Sequence, residues 1–348
     1  MKPLYRNLFL LFGVVAIVIM LLSFDVDYRM IGSRMGSALA YLPLVIGVWV
    51  AVYACNAWAF QMIVNASDHD KHLDFRHAYK LTVSGFAFSY TTPFGFGGGP
   101  YRVMELANHI GMNRAMSSVV LYSMSHILSH ICLWATAAAL FVVCCYDKMD
   151  TALWIAAGIF AAVLLFVIYF FYRGYKNGLI DRLYRLLFYI PYVRRYARRF
   201  YDKQVENMQQ IDRRIACLHQ MPRAFYGSLL MEYVGRLINS LEFYFILLAF
   251  GAPVTLLDAL FVLAFSSLVG NLLFFFPMQM GAREGGLALV IQILGYPGGA
   301  GVGIFSAFLT RIRELVWIFI GVSLVKVGNK ALMKTAADPA DNTDPAQQ

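Results

Sequence analysis

Pairs of arginine and acid stand in a chain that is otherwise strongly apolar. Arg102 and Glu105 lie three residues apart, Arg283 and Glu284 are adjacent, and Arg311 and Glu314 are three apart with Arg313 between them. Glu232, Arg236 and Asn239 follow the spacing of one helix face, with Glu242 close behind. A guanidinium is a rigid fork of donors that matches a phosphate. A carboxylate beside it either neutralises it or meets a cationic group. Inside a bilayer such charges are costly, face the protein interior and by default mark a pathway. Two readings stand: internal pairs that hold helices together, and the wall of a substrate site.

The composition puts these charges in a membrane. Of 348 residues, 60% are hydrophobic and 14% charged, against roughly 25% charged in an ordinary soluble domain. Apolar runs of about 20 residues, enough to cross a bilayer, are expected at about 8–24, 38–64, 115–141, 152–172, 224–250 and 303–326. The first follows Lys2 and Arg6 and runs into FDVDY, not into a small-residue cleavage site. It reads as a retained span. Arg311 lies about 12 Å into its span at a rise of about 1.5 Å per residue.

The net charge is +9 and is concentrated. Residues 173–223 hold 12 Lys/Arg against four acids. A basic segment between spans marks a cytoplasmic face and suits an anionic membrane surface. No nucleic-acid partner is expected.

Parity then constrains the chain. With 173–223 inside, span 152–172 enters and span 115–141 exits, so Arg114 is inside. Lys2, Arg6 and the 65–80 loop are also inside. Segment 81–113 therefore starts and ends inside and is a hairpin or re-entrant element. By the same argument, segment 256–300 starts and ends outside, because Lys326, Lys330 and Lys334 follow the last span. The expected fold is all-α and polytopic, with about six full spans and two re-entrant or broken hairpins in an inverted repeat. Such repeats with interrupted helices are a transporter architecture. One transmembrane domain is expected over 1–335: a first half 1–172, the basic loop 173–223 and a second half 224–335. A polar, disordered tail covers 336–348.

The two broken segments share a pattern. PFGFGGGPYRVMELANHIG starts at Pro93, and PMQMGAREGGLALVIQILG starts at Pro277. Glycine follows each proline four residues on, at Gly97 and Gly281, and an arginine and an acid come next. Proline ends a helix, and irregular backbone at membrane depth survives only beside protein or a water-filled cavity. Pro93, Gly97, Gly98, Gly99, Pro277 and Gly281 are thus expected to form tips between half-helices. The free amides of a helix start there suit an anion such as phosphate. Close helix packing through glycine is the second reading.

Other groups carry less. His126 and His130 share a helix face, but no third metal ligand is evident. They read as packing histidines or a proton relay. DHDKH at 68–72 reads as a solvated turn. The five cysteines show no metal or disulfide spacing. No cofactor and no metal are expected.

At PFGFGGGPYRVMEL and PMQMGAREGGLALVIQILG the chain resembles the flippase-like transmembrane domain of lysylphosphatidylglycerol synthases, over roughly residues 5 to 330. The second motif, with Gly281, Arg283, Glu284 and Gly295 and then Arg311 in the next span, carries most of it. The first copy has three extra residues between glycine and Arg102. Relatives with a soluble domain attach lysine to phosphatidylglycerol there, and their transmembrane part is associated with moving the lipid between leaflets. The chain ends about 20 residues after its last expected span, so a stand-alone member without the synthase domain is expected.

The resemblance and the residues together imply an inner-membrane lipid translocator with both termini cytoplasmic. Its substrate would be an anionic or aminoacylated phospholipid or a polyprenyl-phosphate lipid. Arg102, Glu105, Arg283, Glu284, Arg311, Glu314, Glu232 and Arg236 are the candidate substrate-binding residues. No catalytic residue is assigned. The alternatives are a membrane enzyme acting on lipid headgroups and a scaffold for an envelope enzyme.

Overall fold

The computed structural model describes residues 28–66, 72–92, 97–146, 149–176, 222–251, 253–272, 281–296 and 298–336. The expected first span, Pro93, Pro277, most of the basic loop 173–223 and nearly all of the tail lie outside the described residues. Within them the chain is helical, with no strand.

The elements in chain order are α1 (Tyr28–Ala66), α2 (Phe75–Thr91), α3 (Gly98–Ile110), α4 (Met112–Cys144), α5 (Thr151–Lys176), α6 (Pro222–Ala249), α7 (Leu256–Leu272), α8 (Ala282–Leu294) and α9 (Gly299–Ala336). Segments Gly36–Ala66, Met112–Cys144 and Thr151–Tyr169 are long and apolar enough to cross a membrane. Helices α6 and α9, of 28 and 38 residues, are also long enough but carry the charged groups. Helix α5 turns Ile155, Ile159 and Phe166 outward. Surface that apolar is matched by lipid, not by water.

The chain breaks where the two glycine-rich motifs fall, between α2 and α3 and between α7 and α8. Helices α3 and α8 have 13 residues each. At about 1.5 Å per residue each is about 20 Å long, short of the roughly 30 Å hydrocarbon core. Each stops at a glycine with positive φ, Gly111 at 82° and Gly295 at 77°, where a side chain would be strained.

The helices pack in a two-fold pattern. Exchange α1 with α6, α2 with α7, α3 with α8 and α4 with α9. Every substantial contact within this set then maps onto another: α1–α2 onto α6–α7, α2–α3 onto α7–α8, α3–α4 onto α8–α9, α2–α9 onto α7–α4, α4–α6 onto α9–α1 and α1–α4 onto α6–α9. The α1–α6 contact, the most extensive, maps onto itself. Helix α5 has no counterpart and packs substantially only on α4 among the described helices. Two buried apolar clusters follow this division. One lies mainly on α1–α4 around Phe60, Leu106 and Tyr122, the other mainly on α6–α9 around Leu247, Leu287 and Ile291. Glycine sets the closest approaches. A Cβ at Gly321 would sit 2.7 Å from the Val83 carbonyl oxygen, which is how tightly α9 lies on α2.

Candidate functional site

All eight helices of the two-fold set, but not α5, line one central cavity of about 500 Å³. Its wall includes Arg102, Arg236, Arg283, Arg313, Glu242 and Glu314. Two polar clusters flank it, and they differ in how far their charge is cancelled.

The first cluster sits below α8. Arg283 pairs with Glu314 and donates to the Tyr90 hydroxyl at 3.2 Å. Tyr90 in turn donates to Glu314 at 2.6 Å. Arg311 approaches Glu284 at 3.4 Å and Glu314 at 3.6 Å. Arg313 donates to Glu242 at 2.9 Å and lies 3.9 Å over the Trp49 ring, whose N–H also donates to Glu242 at 2.8 Å. Glu242 and Glu314 are 1% and 3% exposed. Arg283, Arg311 and Arg313 face Glu242, Glu284 and Glu314, so the formal charges cancel. The α8 start is occupied too. Glu284 accepts from the Gly281 N–H at 2.7 Å, so the carboxylate of the chain itself takes the place of an external anion at that helix start.

The second cluster sits against α3. Among the described residues Arg102 donates to the backbone carbonyls of Leu81 and Thr82, both at the long distance of 3.4 Å. Its guanidinium lies 5.8 Å over Phe60 and 5.2 Å over Tyr122. Among the described residues no carboxylate comes within ion-pair distance of it. Gly85 makes the room: a Cβ there would meet the Arg102 Nε at 2.6 Å. The α3 start has no side-chain cap and no acid in its first turn. Gly99, in that turn, lines the cavity. Gly97 donates to the Thr92 hydroxyl at 2.8 Å, which fixes the turn into the helix.

Across from Arg102, Glu232 is fully buried and lies 2.7 Å from His126 Nδ1. Arg236 Nη2 is 3.9 Å from the same carboxylate and 3.0 Å from His126 Nε2. Among the described residues Glu232 is thus the one acid beside two arginines on this side, and it pairs with His126 and Arg236, not with Arg102. With neutral histidines the side carries one uncompensated positive charge. Among the described residues, single polar atoms of Tyr53, His130, Asn239 and Arg313 on the wall residues are buried without a hydrogen-bond partner.

The site residues expected from sequence therefore divide. Arg102, Arg236, Arg283, Glu314 and Gly99 line the cavity. Glu232, Glu284 and Arg311 stand behind it as partners. Glu105 is apart: it lines a separate pocket with Lys80, His77 and His109. Gly97 and Gly98 pack closely on α2. Sequence reasoning did not single out Tyr90, Trp49, Arg313 and Gly85 as site residues. For Arg313 the signal was its place beside Arg311; Gly85, one small residue in an apolar run, gave none. Among the described residues no group of three or more metal-ligating side chains comes together.

The family model described as the lysylphosphatidylglycerol synthase TM region matches residues 9–321. No curated protein and no solved structure matches the chain. The chain belongs to that family. It is an integral membrane protein whose family ties it to lipid.

Proposed function

We propose that this member of the lysylphosphatidylglycerol synthase transmembrane family moves a phosphate-bearing lipid between leaflets. The lipid is an anionic or aminoacylated phospholipid, or a polyprenyl-phosphate lipid. One observation carries this reading: Arg102 lines the central cavity, and among the described residues no carboxylate neutralises it. A charge held at such depth without a partner is costly. An anionic headgroup supplies the partner, and the uncapped α3 start beside it adds backbone N–H groups suited to phosphate.

The two broken hairpins serve as halves of an inverted repeat, which the two-fold packing and the charge parity support. Alternating exposure then comes from rocking one half against the other around the shared cavity. The basic segment 173–223 lies on the anionic inner surface, in a single domain with both termini cytoplasmic in the inner membrane.

The test is movement of an anionic phospholipid with a quenchable headgroup label in proteoliposomes. Wild type should move it, and Arg102→Ala should lose the movement while remaining folded. Full movement by Arg102→Ala would sink the reading.

A further inference from the structure

A second compartment adjoins the central cavity. It is an apolar pocket of about 300 Å³ between α4, α5, α7 and α8. Its wall includes Trp134, Phe141, Leu153, Phe160, Phe265 and Val290, and no charged residue lines it. Water needs two to four polar partners to stay in a cavity, so this one suits only an apolar occupant.

The two compartments share walls. Leu133 faces the central cavity and its neighbour Trp134 faces the apolar pocket. Ser267 and its neighbour Leu268 divide in the same way on α7. At the seam, the Trp134 indole N–H donates to Ser267 Oγ at 2.9 Å. The outer wall is α5, the helix with no two-fold counterpart, which packs lightly and is covered outside by apolar side chains. A charged cavity thus adjoins an uncharged one along α4 and α7, where Trp134 and Ser267 meet, and α5 forms the outer wall of the uncharged one. This is the shape of a site for an amphiphile.

We infer that the α4–α5–α7–α8 pocket receives an acyl chain of the lipid whose phosphate enters the central cavity. The inference rests on the proposed lipid reading of that cavity. Headgroup and tail then part at the Trp134–Ser267 seam, and α5 is the wall that the chain passes on its way from the bilayer.

The test uses the full chain in nanodiscs with an anionic phospholipid that carries a photoreactive diazirine in mid-chain. Adducts are mapped by peptide mass spectrometry. Adducts on the pocket faces of α4 and α7, lost in Ala157→Trp and in Ala138→Phe, are expected. Both substitutions fill the pocket, from opposite walls. Pocket adducts undiminished in both folded variants, or adducts only on the outer face of α5, would overturn the inference. Arg102→Ala separates the two readings. Pocket adducts that persist there in full would keep the tail site and remove the headgroup reading.

Discussion

The starts of α3 and α8 come from related stretches of sequence, yet their charges are handled in opposite ways. At α8 the arginine has a buried carboxylate, Glu314, and the helix start has its own acid, Glu284. At α3 the arginine has two distant carbonyls and two aromatic faces, and the helix start has no acid, its Gly97 N–H meeting the neutral Thr92 hydroxyl instead. The reason lies in spacing. In GAREG the acid follows the arginine directly and lands in the first turn, where it can fold back onto Gly281. In GGGPYRVMEL the acid comes three residues after the arginine, and Glu105 leaves the cavity altogether. One helix start is closed by an acid of its own, and the other has none in its first turn.

Substitutions can break that contrast. The largest effect on stability is expected for Glu314→Ala, which leaves three arginines around a lost carboxylate. Removing one partner of a buried ion pair costs about 3–5 kcal/mol, and thermal unfolding in detergent would register it. A melting temperature unchanged from wild type would mean that the α8 side is not held by this network.

Arg102→Ala should do the reverse. Stability should stay near wild type, because no buried acid loses its partner. Lipid movement should fall about tenfold to a hundredfold, the equivalent of a lost charge-assisted contact of roughly 1.5–3 kcal/mol. A large loss of stability with unchanged movement would exchange the roles assigned to the two tips.

Gly85→Ala sharpens the picture without touching a charge. The added methyl collides with the Arg102 guanidinium, so movement should fall by less than in Arg102→Ala. The double variant should be no worse than Arg102→Ala alone, and additive losses would show that Gly85 acts elsewhere.

Thr92→Val removes the acceptor of the Gly97 N–H and should cost about 1 kcal/mol in the same unfolding measurement. The smallest effect is expected for Glu105→Gln. Its pocket is separate, so lipid movement should match wild type, and a marked drop would bring that pocket into the pathway.

Much of this architecture is legible in the sequence. Apolar runs fix the long helices, because backbone in lipid must satisfy itself within the helix. Gly97 and Gly281 mark where the two short helices start, and Gly111 and Gly295 mark where they stop. What the sequence could not say is which acid answers which arginine. Arg311 and Glu314 look like a simple i, i+3 pair, yet Glu314 is shared by Arg283, Arg311 and Tyr90. Glu232 and Glu242 sit on one helix, yet Glu232 meets His126 and Glu242 meets Arg313.

The sequence by itself determined that charges of both signs lie within otherwise apolar helices, and that glycine-rich motifs stand at the starts of two short ones. Those facts follow from local chemistry, namely hydropathy, helix rise and the backbone rules of proline and glycine. Only the tertiary structure decided that one break is neutral and the other cationic. A charge is cancelled by its neighbours in space, and here those neighbours come from other helices, as Glu242 does for Arg313 and Glu314 for Arg283. That Arg102 meets no carboxylate among the described residues is therefore a property of the packing and not of its own motif.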